Sequence, residues 1–189
     1  SKDDTIGDAF KYFVVILTIF AVIISILLGV AFSLFAAMLG MLGVPMMTLG
    51  AAMGPLFAVV FFILTLVSGI IGVFIGGLWL HIWVYLLGGR EGVEQTIKAL
   101  MYGVTPGYLL GWIPIVGIIG GIWSLIVEII GIRQLHELST GKAVLAVIIA
   151  IAIPLIIYAV IIAAFIATMP GPGLGPRPGL GPGPGHMIR

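Results

Sequence analysis

Residues 12–89 read YFVVILTIFAVIISILLGVAFSLFAAMLGMLGVPMMTLGAAMGPLFAVVFFILTLVSGIIGVFIGGLWLHIWVYLLGG, a run without a single Asp, Glu, Lys or Arg. A helix needs about 20 mainly apolar residues to cross the hydrocarbon core of a bilayer. The run is therefore long enough for more than one crossing. The sequence predicts that most of this protein is dissolved in lipid.

The composition of the whole chain agrees with a membrane protein and excludes several functional classes. Of the 189 residues, 61% are hydrophobic and 8% are charged, whereas about 25% of a soluble domain is charged. The formal net charge of +1 provides no basic field for nucleic acid, so no nucleic-acid partner is expected. Cysteine is absent, which excludes disulfides, thiolate nucleophiles and cysteine-based metal sites.

Glycine, proline and the few charged islands divide the chain into an all-α, polytopic bundle of membrane helices. We predict a short cytoplasmic N-terminus over residues 1–9, a five-helix membrane domain over 10–169, and a flexible Pro/Gly-rich tail over 170–189. The five predicted spans cover about residues 10–39, 56–87, 93–111, 114–135 and 142–167.

The number of spans depends on residues 99–127, which carry no charge. Five spans require a turn at Trp112-Ile113-Pro114, where proline disfavours a continuing helix and tryptophan suits a membrane interface. Four spans would make the segment one kinked helix that contains Pro106 and Pro114. We prefer five, although the Lys/Arg distribution does not separate the two topologies. Both topologies place the N-terminus in the cytoplasm, and five spans place the C-terminus outside.

Small residues recur at four-residue spacing on three predicted spans. In lipid, small residues let helix backbones approach closely, so packing and weak hydrogen bonds hold the bundle together. The pattern indicates packing faces within the bundle, or between copies of the chain. The predicted packing residues are Ser68, Gly72 and Gly76 on the second span, Gly103, Gly107 and Gly111 on the third, and Gly117 and Gly121 on the fourth.

The candidate functional residues are polar side chains near the predicted cytoplasmic ends of the last two spans. Glu128 is the one acid inside an apolar span. An ionised acid at the bilayer centre costs about 2.5–3.5 kcal/mol and less near the edge. Glu128 is therefore a proton or cation site, an internal hydrogen-bonding partner of Tyr102 or Lys98, or a side chain that extends to the interface. Arg133, His136 and Lys142 complete the predicted polar patch for a partner.

No pattern in the sequence supports catalysis, a cofactor or a metal. His81, His136 and His186 do not share the spacing of metal ligands, and we interpret His81 as an interface or packing residue. His136-Glu137 resembles the start of a zinc-protease helix, but the second histidine of that motif is missing. We therefore predict a protein that is not an enzyme and has no cofactor.

Residues of the C-terminal half match a known family in their order and spacing. The matching segments are Tyr102-Gly-Val-Thr-Pro106, Trp112-Ile-Pro114, Ile122-Trp123, Gly131-Ile-Arg-Gln-Leu-His-Glu-Leu-Ser139 and Lys142-Ala143. Over about residues 88–165 the chain resembles the Yip family, membrane proteins named for their interaction with Ypt/Rab GTPases. We take Tyr102, Pro106, Trp123 and Gly131 as the family-motif residues. The resemblance implies five spans, a cytoplasmic N-terminus and a role in membrane traffic with GTPases and partner membrane proteins.

Only about ten residues precede the first predicted span, which speaks against recruitment of a small GTPase and favours a minimal, prokaryotic member of the family. We expect a non-catalytic scaffold or adaptor in a prokaryotic cell membrane rather than in the Golgi or endoplasmic reticulum. Its expected partners are membrane lipids and other integral membrane proteins, including further copies of itself. The alternative is a transporter or channel for a small solute or ion, with Glu128 as the intramembrane polar site.

Overall fold

The structure, a computed structural model, describes residues 5–44 and 50–169. The predicted tail, His186, the first four residues and residues 45–49 lie outside the described ranges. Besides a helical turn at residues 50–52, these ranges contain six longer helices. They are α1 (Ile6–Met41), α2 (Gly54–Leu86), α3 (Val93–Gly103), α4 (Thr105–Leu110), α5 (Val116–Leu135) and α6 (Thr140–Thr168).

The prediction of a helical membrane bundle is confirmed. The structure is 86% helical and has no strands in its described ranges, and α1, α2, α5 and α6 are each long and apolar enough to cross a membrane. The chain divides after Ile151 into two compact units. The contacts described below lie in the first unit. The second contains the rest of α6, whose helix continues through Pro154.

Helices α1 and α2 run antiparallel. A Cβ on Gly69 would come within 2.6 Å of Leu17, and a Cβ on Gly29 within 2.7 Å of Ala58. Residue numbers therefore rise along α1 as they fall along α2. At the start of α1, the Thr5 hydroxyl accepts a hydrogen bond from the Asp8 amide at 3.2 Å and caps the helix.

Helices α3, α4 and α5 form an antiparallel hairpin. Gly103 lies against Glu128, and the Gly107 amide donates a 2.7 Å hydrogen bond to the Ser124 hydroxyl. The predicted turn lies between Leu110 and Val116, where α4 ends and α5 begins. The hairpin therefore enters and leaves the bundle at the same end.

Two short turns close the charged end of the bundle. Helix α2 ends at Leu86; beyond it, Gly88 has φ +104°, and the Gly89 amide donates a hydrogen bond to the Val84 carbonyl at 2.9 Å. The glycine supplies the left-handed conformation that this helix end requires. Beyond α5, Glu137 has φ +52° and the Leu138 amide bonds to the Arg133 carbonyl at 3.1 Å, which is the same type of helix end.

Candidate functional site: a buried polar cluster at the charged end

One buried hydroxyl connects two histidine rings from different parts of the chain. The Thr96 Oγ1 lies 2.8 Å from His81 Nδ1 and 2.8 Å from His136 Nε2. The two ring centroids are 5.8 Å apart. Because a hydroxyl has a single hydrogen, it donates to one ring nitrogen and accepts from the N–H of the other. This His–Thr–His network joins α2, α3 and the turn after α5.

The network is shielded from solvent by the way the chain folds locally. Thr96 is fully buried, and His136 is 4% exposed. The left-handed Glu137 ends α5 directly after His136. Gly89 leaves the space that the imidazole occupies, because a Cβ there would meet His136 Nδ1 at 3.0 Å and the Val84 carbonyl at 3.1 Å.

His136 is held in its neutral form. Burial, together with the nearby His81 ring, lowers the pKa of His136 from its usual 6.5 to about 4. Its Nδ1 is buried and has no hydrogen-bond partner among the described residues. The described residues bring no three His, Cys, Asp or Glu side chains together as a metal site.

A second buried polar side chain, Lys98, lies on α3 two residues after Thr96. Lys98 is 2% exposed, and its Nζ lies 3.7 Å from the carboxylate of the more exposed Glu94. A buried ammonium is tolerated only with such partners, since removing one charge of a buried pair leaves the other uncompensated. Thr96 and Lys98 therefore make α3 the polar centre of this end of the bundle.

The predicted polar patch separates into exposed and buried members. Arg133 and Lys142 are exposed near the turn between α5 and α6, whereas His136 is buried. The turn directs the His136 ring toward Thr96 rather than toward solvent. Of the predicted polar patch, only Arg133 and Lys142 are exposed at this turn. Their role in binding a partner stays a prediction.

Glu128 lies on α5, half-buried, with its Cα and Cβ against Gly103. The predicted hydrogen bond of its carboxylate to Tyr102 or Lys98 stays a prediction. Gly103 lets α5 approach at this level, because a Cβ there would come within 2.9 Å of the Glu128 Cβ.

On α2, close packing occurs one residue away from the predicted face. Gly77 lies against Ile97, where a Cβ would come within 2.6 Å, and Gly69 lies against Leu17. Of the predicted residues, Ser68 and Gly72 are exposed and Gly76 is half-buried. A Cβ on Gly72 would meet nothing within 4 Å, so Gly72 does not act as a packing residue here.

In the α3–α5 hairpin, several predicted glycines lie at the contacts between helices. Besides Gly103 against Glu128, Gly107 lies against Ser124 and Gly117 against the Gly111 backbone. Gly121 faces open space, whereas its neighbour Gly120 would meet Leu110 at 2.7 Å. Where two glycines are adjacent, the sequence alone does not show which of them lies against the partner helix.

The four family-motif residues lie in different surroundings. The Tyr102 ring contacts Tyr12 with centroids 5.2 Å apart, and Pro106 lies in the first turn of α4. Gly131 lies against Ala99, where a Cβ would come within 3.2 Å. Trp123 is 55% exposed on α5. These residues surround the hairpin and do not form one site.

Sequence reasoning did not identify the His–Thr–His network. Its members are separated by 15 and 40 residues, and only tertiary packing brings them together. The one feature of the sequence that could have indicated the network is polarity, because His81 and Thr96 are polar residues within mainly apolar predicted spans. Two polar residues at the same end of neighbouring spans are candidates for a mutual hydrogen bond.

The long apolar helices define a polytopic helical integral membrane protein. Comparison with protein families matches the Yip1 domain over residues 12–164, and the chain therefore belongs to the Yip family. No curated protein and no solved structure matches it. Proteins of this family are non-enzymatic membrane proteins associated with membrane traffic.

Proposed function

We propose that this protein is a non-catalytic membrane scaffold or adaptor that binds other integral membrane proteins through its charged end and also binds membrane lipid. Family membership supports a membrane-traffic role of this kind. The observation that carries the proposal is the exposure of Arg133 and Lys142 beside the turn that the buried network fixes. A rigid turn with exposed cations is suited to a partner with acidic residues near the membrane surface.

Charge reversal at this turn tests the proposal. The Arg133→Glu/Lys142→Glu variant should recover a membrane-protein partner about tenfold less well, as expected when attractive charges become repulsive. Recovery is measured by mass spectrometry after purification in native-lipid discs. Lys11→Glu is the matched control, because Lys11 is an exposed cation on α1. Equal recovery by the two variants, with unchanged thermal unfolding, would exclude the Arg133–Lys142 surface as the binding site.

The proposal includes five membrane crossings, with residues 93–110 as the third. Those 18 residues extend about 27 Å as a helix, close to the roughly 30 Å of a hydrocarbon core. The contact between Thr96 and His136 supports this topology, because it brings both ends of the hairpin together. Glu91→Cys and Ser139→Cys should then react with an impermeant thiol reagent from the same side. Labelling from opposite sides would favour four crossings.

A transporter remains the second candidate because Glu128 is an acid that lies half-buried on the apolar helix α5. Acids within membrane-spanning segments often belong to ion and proton pathways. If the protein transports, Glu128→Gln should abolish flux into liposomes while leaving unfolding unchanged. Flux equal to that of the wild type would exclude Glu128 from transport.

A further inference from the structure

A cleft of about 430 Å³ lies between α1, α2 and the α3–α4 segment. Eleven residues line it, and none of them is charged. It is separate from the His–Thr–His network, none of whose members contributes to its wall. The chemistry of the wall therefore suits an apolar occupant.

Aromatic rings and a glycine give the cleft its shape. The Tyr108 ring stacks on Phe20 with centroids 4.9 Å apart and also lies 6.2 Å from Phe13. On the opposite side, Gly72 faces open space, since a Cβ there would have no neighbour within 4 Å. The missing side chain of Gly72 keeps the cleft open. A larger residue at this position would fill the cleft without displacing the bundle.

The position of the cleft along α1 places it in the hydrocarbon layer. Lys11 is the last charged residue before the uncharged run, and the α1 wall extends from Phe13 to Phe20. At a rise of 1.5 Å per residue, that wall lies about 3–14 Å past Lys11. This depth corresponds to one leaflet of a roughly 30 Å core.

The rim of the cleft is accessible from the side of the bundle. Ser68 and Gly72 are exposed, and so are the apolar side chains of Val67 and Ile71 next to them on α2. At this depth the surrounding medium is lipid chains and not water. Because an apolar pocket excludes water but accepts apolar molecules, an acyl chain is the occupant that the surroundings supply.

We propose that this cleft binds one acyl chain of a membrane lipid, so that the protein carries a specifically bound lipid in one leaflet. The inference deepens the lipid-binding part of the proposed function and rests on it. It does not depend on the Arg133–Lys142 surface, which binds a protein partner. A bound chain would fill the space that Gly72 leaves between α1 and α2.

The test compares two leucine substitutions at glycines that both face open space. Gly72→Leu fills the cleft, whereas Gly121→Leu places the same side chain on α5, outside the cleft. Each protein is placed in discs of phosphatidylethanolamine and phosphatidylglycerol that contain a phospholipid with a diazirine in one acyl chain. After illumination, mass spectrometry locates the cross-links.

The wild type and Gly121→Leu should be labelled on cleft residues such as Phe13 and Tyr108. Labelling of these residues should be lost in Gly72→Leu, because the leucine side chain occupies the space that the acyl chain would fill. Equal labelling in all three proteins, or labelling confined to the exposed helix surface, would overturn the proposal. Thermal unfolding of each variant confirms that the bundle is intact.

A single cysteine distinguishes a lipid from a second copy of the chain. The protein contains no cysteine, so Ser68→Cys introduces a unique thiol at the rim. Failure of this variant to form a disulfide-linked dimer under oxidising conditions supports lipid, and efficient dimer formation would overturn it. If lipid cross-linking fails while Arg133→Glu/Lys142→Glu still loses its partner, the lipid site alone is refuted.

Discussion

Removing the Thr96 hydroxyl should destabilise the bundle far more than removing an ordinary intramembrane hydrogen bond. Thr96→Val preserves the shape of the side chain but deprives both His81 and His136 of a partner. A buried polar group left unsatisfied costs about 1–3 kcal/mol. His136, at 4% exposure, should bear most of this cost, whereas the half-buried His81 bears less. We expect the free energy of unfolding to fall by about 3 kcal/mol.

If the two hydrogen bonds of Thr96 were ordinary ones, Thr96→Val would lower the free energy of unfolding by a smaller amount, which the experiment can distinguish. Hydrogen bonds between membrane helices average about 0.6 kcal/mol in double-mutant cycles, so two ordinary bonds would contribute roughly 1 kcal/mol. The free energy is measured by reversible unfolding in mixed micelles, followed by tryptophan fluorescence.

Two further variants complete the Thr96 experiment. Thr96→Ser retains the hydroxyl and should restore most of the loss. Thr18→Val removes only a bond to the Val14 carbonyl within α1. A loss near 1 kcal/mol for Thr96→Val, or one equal to that of Thr18→Val, would refute a cooperative network.

Two further measurements follow from the same structure. Gly77→Ala should lower the free energy of unfolding by about 1–3 kcal/mol, because the added Cβ overpacks against Ile97. Gly121→Ala, where the added Cβ meets open space, should be neutral or stabilising. Similar unfolding free energies for the two variants would contradict the close approach of α2 and α3. Because the pKa of His136 is lowered to about 4, the unfolded chain takes up its proton near pH 6.5 and the folded protein only near pH 4. Stability should therefore fall by about 3 kcal/mol between these values, and an equally steep pH dependence in His136→Gln would show that another group is responsible.

The overall fold could be predicted because the bilayer imposes long apolar helices. The uncharged run, the glycine–proline breaks and the Trp112-Ile113-Pro114 turn all reflect local constraints on single helices. The glycine C-cap at Gly88 is equally local, since φ +104° favours glycine. Such features require no knowledge of which helix packs against which.

The predictions that differ from the structure all concern relations between helices. Gly69 and Gly77 directly follow Ser68 and Gly76 on α2, and the sequence alone does not show which residue of each adjacent pair contacts the neighbouring helix. The predicted polar patch includes His136, whose burial depends on a turn in which Glu137, a non-glycine residue, adopts the left-handed conformation. Local sequence gives little indication of such a turn.

The arrangement of polarity also favours a scaffold over a transporter. In a lipid-dissolved bundle, exposed apolar side chains carry little specific information, since lipid tails are as apolar as leucine. Specific contacts therefore depend on the few polar residues, and Thr96 joins His81 to His136 at the charged end. A transporter needs polar groups that stay available to a solute near the midplane. Among the described residues, the His–Thr–His network fixes a turn at one end of the bundle, which is what a binding surface for a partner requires.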